Sequence, residues 1–136
     1  MDAAAAGAYE IDAGNLAEQK SSNQQVKNIA QHLVQDHTKA NDQLMGIAQS
    51  EGVVVNAQPN ADQNQLLDQL RQANGSSFDS TYLQQQAKGH REVIAKFEAE
   101  ARTGTGAAKN FAKQTLPTLR EHLQMVTTEM NKLSQP

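Results

Sequence analysis

VKNIAQHLVQDHTKANDQLMGIAQSEG, residues 26–52, is the stretch on which the fold turns. Val26, Ala30, Leu33, His37, Ala40, Leu44 and Ile47 recur in steps of three and four, so they share one stripe of a helix, flanked by Ile29, Val34 and Ala48. Gly52 supplies the stop, because glycine readily takes the left-handed conformation found just past a helix end. A helix this long with one apolar stripe must bury that stripe against neighbours.

The neighbours are legible on either side. Upstream, Ala3, Ala6, Glu10, Ala13, Ala17 and Lys20, with Ile11 and Leu16 beside them, predict a first helix over residues 3–20. Ser21, Ser22 and Asn23 then form a short polar break whose side chains can cap the next helix, and so short a turn implies an antiparallel pair. Downstream the pattern breaks over residues 53–77: Val53–Val55, a turn at Pro59, a short helix carrying Leu66, Leu67 and Leu70, then Asn74–Ser77. At ~3.3 Å per extended and ~1.5 Å per helical residue, that connection can run back along the whole of a ~40 Å bundle. A third long helix starts near Phe78, carries Tyr82, Gln86, His90, Val93 and Phe97, and ends near Arg102. After Thr103–Gly106 a fourth opens at Ala107 and carries Phe111, Thr115, Leu119, His122, Val126, Met130 and Leu133, with Pro117 expected to kink or divide it. The expected fold is all-α: a ferritin-like four-helix bundle with short, long and short connections and an extra short helix in the crossover. It forms a single domain over residues 1–136. An up-and-down bundle with a disordered middle loop is the alternative.

Composition agrees and narrows the function. The chain has 136 residues, 38% hydrophobic, with 20 alanines, 18 glutamines, three prolines and no tryptophan, a mix that favours helix over sheet. Twelve basic against 15 acidic residues give a net charge of −3, which offers nothing to a nucleic-acid backbone or an anionic membrane. No stretch approaches the apolar length of a membrane span, and residues 1–7 lack the plan of a signal peptide. Without cysteine there are no disulfides, thiolate ligands or thiol nucleophiles, so any metal must be held by histidine and carboxylate.

Each long helix places one ionisable residue on its buried stripe: Glu10, His37, His90 and His122. Counting ~1.5 Å per residue from the first turn puts them ~16, ~21, ~18 and ~14 Å down the bundle, within one layer about a helical turn thick. Three imidazoles and a carboxylate form a plausible shell for one divalent transition metal such as Zn, Cu or Fe, the glutamate offsetting charge. A polar layer with Glu10 accepting hydrogen bonds from the histidines is the structural alternative. Asp36, Asn41, Gln86, Glu121 and Tyr82 are candidates to orient the histidines through their second nitrogen. Asp36 and Glu121 adjoin core histidines in sequence, however, and are read as pointing elsewhere. His32 lies off the stripe and reads as a surface residue, Glu98 and Glu100 as a solvated face, and Met45, Met125 and Met130 as core filling. No ordered Ser-His-Asp triad or phosphate-cradling loop can be built from these spacings.

Glu10-Ile11 with Gly14 and Leu16-Ala17, DHTKAN at 36–41, Phe78-Asp79 with Tyr82, His90, and LPTLREHL at 116–123 occur in order over nearly the whole chain. In these motifs the sequence resembles the bacterial family catalogued as domain of unknown function 4142. The resemblance implies a ferritin-like bundle and an exported, periplasmic or envelope-associated protein whose signal peptide has been removed; it implies no established activity. Gly89 stands where family members commonly carry Asp before the third-helix histidine. Di-iron chemistry is not expected, since Val34 and Leu119 occupy the positions three before His37 and His122 where Glu-x-x-His motifs need glutamate. The leading expectation is a protein that binds one metal ion for buffering, trafficking or stress protection. The alternatives are an oxidoreductase using the same site on oxygen or peroxide, and a metal-free interaction module with a structural polar core; the protein partner is not identified.

Overall fold

The computed structural model describes residues 2–134, apart from the side chain of Asp2. Five helices follow one another: α1 (Asp2–Lys20), α2 (Gln24–Ser50), α3 (Ala61–Gln72), α4 (Gly75–Thr103) and α5 (Gly106–Leu133), with no strand among the described residues. The four long helices pack in a ring, α1 on α2, α2 on α5, α5 on α4 and α4 on α1, while α3 lies over the α1 and α4 side.

Two apolar clusters fix the directions. One joins Ala17, Val26, Phe78 and Val126, the end of α1, the starts of α2 and α4, and the end of α5. The other joins Ala4, Leu44, Ala48 and Phe111, with Phe97 against it, at the opposite ends of the same helices. Hence α2 and α4 run the same way, and the segment between them returns the full length of the molecule, as its length allows. Within it Leu67 and Leu70 are buried, and α3 opens on a capping box in which Asn60 and Gln63 satisfy each other's backbone amides.

The turn after α1 anchors this return. Asn23 Oδ1 accepts from the amides of Gln25 and Val26, capping α2. Ser21 Oγ donates to Asp79 Oδ1 at 2.6 Å in a buried contact that ties the turn to α4. Lys20 reaches the Leu70 and Arg71 carbonyls at the end of α3, its ammonium 5.5 Å from the centre of the Phe78 ring. The α1–α2 pair is close because α1 is small-sided. A Cβ at Gly7 would overlap the Asn41 side chain, which donates to Ala4 O, and one at Gly14 would overlap Val34.

Two expectations need correction. The third long helix begins at Gly75 rather than near Phe78: residues 75–77 are exposed, so no apolar stripe marks their helical turn. Pro117 does not divide α5, which is continuous from Gly106 to Leu133. The proline is on the exposed face, where the carbonyl of Lys113, deprived of its amide donor, can turn to water.

Candidate metal centre

Between the two apolar clusters lies a polar layer. His37 from α2, His90 from α4 and His122 from α5 are all buried, with ring centroids 5.3–5.6 Å apart. One ligand nitrogen from each lies within 4.8 Å of the other two. A side chain that leans back over the preceding helical turn explains the pose of His90, whose Nδ1 meets the carbonyl of Gln86, four residues earlier, at 2.9 Å. A carbonyl can only accept, so Nδ1 carries the proton and Nε2 keeps its lone pair. His122 is held from outside: its Nε2 donates to Asp36 Oδ2 at 2.8 Å, leaving Nδ1 free. His90 Nε2, His122 Nδ1 and His37 Nε2 are buried without a hydrogen-bond partner.

Glu10 takes a different place from the three histidines. Its Oε2 approaches His90 Nδ1, the nitrogen already bonded to Gln86, at 3.3 Å, while its Oε1 has no partner. The ring order gives the reason: α1 borders α2 and α4 but stands diagonally across from α5, so its carboxyl reaches the layer at the side of His90. The clustered nitrogens thus come from three helices, with Glu10 behind one of them.

Burial sets the charges. Desolvation pushes Glu10 up to about 8, against the neighbouring Gln86 amide. Desolvation lowers His90 to about 4, with the nearby His122 adding to it and the Gln86 carbonyl opposing. His37 falls well below its ordinary value through desolvation and then through His90 and His122. His122 is lowered by desolvation, partly offset by Asp36. At neutral pH the Glu10–His90 contact is therefore a carboxylic acid beside a neutral imidazole, and all three rings are in the form that binds metals.

The surrounding residues sort unevenly against expectation. Gln86 orients His90, but through its backbone carbonyl; its side-chain amide is buried and unpartnered. Tyr82 stacks on Phe78 with its hydroxyl buried and unpartnered, and desolvation holds its pKa well above the ordinary value, with Glu10 adding. Asn41 serves α1 rather than a histidine, and Glu121 is exposed. Asp36, read as pointing elsewhere because it precedes His37, instead crosses to α5 and holds His122. One step along a helix turns a side chain by about 100°. That step takes Asp36 off the centre of the layer and onto the face shared with α5, a placement that needs the ring order to be known.

A cavity of about 30 Å³ borders Glu10, His37 and His90 on its polar side and Leu44, Phe97 and Phe111 on its apolar side. A cleft of about 270 Å³ between α2 and α5 reaches His37 and His122. A larger groove of about 920 Å³ along α1, α3 and α4 reaches Glu10 but none of the three histidines.

The family described as Domain of unknown function (DUF4142) matches residues 1–128. No curated protein matches the sequence. Among solved structures the chain is similar to a DUF305 protein of Streptomyces coelicolor, described as a candidate secreted protein, with 12% identity over 96% of this chain and 88% of that one and a TM-score of 0.78. At that identity the likeness is one of fold. Among the described residues no helix is long and apolar enough to cross a membrane.

Proposed function

The chain belongs to the DUF4142 family, and from that premise we propose that it is a single-domain, ferritin-like four-helix bundle of the bacterial envelope that binds one transition-metal ion at His37, His90 and His122. Three buried imidazoles on three helices, each with an unpartnered nitrogen and with one ring nitrogen apiece within 4.8 Å of the other two, carry this reading. A purely structural layer would leave those nitrogens desolvated at about 1–3 kcal/mol each, and a shared cation removes that cost at once. The neutral rings need lose no proton to bind, and Gln86 and Asp36 hold two of them from behind, as outer partners of metal-binding histidines do. Glu10, expected from sequence to be a fourth ligand, acts here as the carboxyl behind His90 that ionises to offset the added charge. Zn, Cu or Fe suits an imidazole-rich set.

Buffering, trafficking or stress protection is the role for such a site. The small cavity beside His37 and His90 favours a second reading, an oxidoreductase, because it has room for one water-sized molecule next to the ligands. An envelope location rests on the family resemblance and on the fold shared with a protein described as secreted.

The test is elemental analysis of protein purified without an affinity tag or chelator, followed by titration of the apo form with Zn, Cu, Fe and Mn. Near-stoichiometric metal, lost on His37→Ala or His90→Ala, is expected. A metal-free protein whose apo form binds none of the four would overturn the reading. Metal-dependent consumption of oxygen or peroxide would select the oxidoreductase.

A further inference from the structure

Three openings approach the polar layer, and their chemistry differs. The groove along α1, α3 and α4 is the largest, but it touches the layer only at Glu10, and its inner wall includes Ala6, Leu44, Val93, Phe97 and Phe111. The small cavity also meets two histidines, His37 and His90, but it holds only about 30 Å³ and the rest of its wall is mostly apolar, with Leu44, Val93, Phe97, Phe111 and Leu119. The cleft between α2 and α5 meets His37 and His122, and of the three it alone reaches His122, the histidine on α5. Beside Lys39, its walls carry Gln43, Gln114, Thr115 and Thr118, whose amides and hydroxyls can replace waters that a cation sheds on its way in.

Asp36 stands on the wall of this cleft. Its side chain is 35% exposed while that of His122, hydrogen-bonded to it, is 1% exposed, so one contact spans the step from solvent to core. The carboxylate there attracts cations at the solvent side of the cleft, opposed by the Lys39 ammonium on the same wall. We propose that metal ions reach and leave the centre through the α2–α5 cleft, with the Asp36 carboxylate drawing in divalent cations and passing them to His122 and His37. The inference rests on the metal-binding reading and specifies how that site is loaded.

Rates separate the route from the site. Apo protein is mixed with Co²⁺, binding is followed by visible absorption, and release is followed after adding chelator. Thr118→Trp, which fills the cleft without removing a ligand, should slow binding and release together by about tenfold or more, with the dissociation constant little changed. Asp36→Asn keeps an oxygen to accept from His122 but loses the charge; it should slow association about tenfold and flatten its dependence on salt. Gly89→Trp, placed in the α1–α4 groove where a Cβ meets open space, should leave both rates at the wild-type value. Wild-type rates in both cleft variants, or slowing by Gly89→Trp alone, would overturn the route while leaving the centre intact. Absence of Co²⁺ binding by the wild type would overturn the centre and the route with it.

Discussion

Burial keeps His37, His90 and His122 neutral and Glu10 protonated at pH 7, and these two effects pull the apo protein's stability in opposite directions. As pH falls below the ordinary histidine value of 6.5, the unfolded chain binds protons that the folded rings refuse, His90 down to about 4. Stability is therefore lost on the acid side. Glu10 acts in the other sense. From its ordinary value of 4.5 up to about 8 the folded chain holds a proton that the unfolded chain has released, so its contribution falls as pH rises through that window. Three histidines outweigh one glutamate below 6.5, and Glu10 alone remains above it, so apo stability should peak near pH 7. Urea midpoints measured from pH 5 to 9 check this, and Glu10→Gln should abolish the alkaline decline while leaving the acid one. The same proton reports on binding. A cation beside His90 favours ionised Glu10, so loading at pH 7 should release about one proton per metal, and Glu10→Gln should release almost none. Titration in weakly buffered solution with a pH indicator reads this directly.

At the scale of the helix, what could be read in advance depended on whether a residue's role follows from its own helix or from a neighbour's. His37, His90 and His122 fall in one layer because the rise per residue and the three connections fix their heights, and both were countable. Leu67 and Leu70 marked α3 in the same way. Gly75–Ser77 could not be assigned to α4, since an exposed first turn buries nothing, and Asn74 makes no side-chain cap bond there. Asp36 and Glu10 depend on which helices are adjacent and which are diagonal, and one stripe pattern is the same in either arrangement. Pro117 was legible as a defect but not its consequence, which turns on its facing solvent. The helix tolerates it at a cost, and Pro117→Ala should restore the amide bond to Lys113 O. Helix propensity favours alanine by about 3 kcal/mol, and proline's restriction of the unfolded chain returns up to about 1, so a gain of about 2 kcal/mol is expected. Thermal denaturation of the apo variant measures it; an unchanged midpoint would mean that the wild-type helix is already strain-free at this position.

Across the whole molecule, the full-length return between α2 and α4 brings helices distant in sequence onto one centre. His37 and His122 are 85 positions apart, and the α2–α5 contact that unites them has no connecting loop. The apolar clusters at the two ends hold the ring, but midway it is closed by groups whose inward nitrogens bind nothing in the protein. A metal there would staple α2, α4 and α5 at the level between the two apolar clusters, and by linkage its binding energy would add to folding. At free metal one hundred times the dissociation constant the gain is about 2.7 kcal/mol, which for a chain of this size raises the melting temperature by roughly 10 °C. His122→Ala should lose that gain, because two imidazoles no longer join α5 to the other helices. Hydrogen exchange locates the effect: metal should slow it most around His37, His90 and His122 and least in α3, which contributes no ligand. Equal slowing throughout α3 would show that the ion stabilises the fold as one cooperative unit rather than closing the ring at its middle.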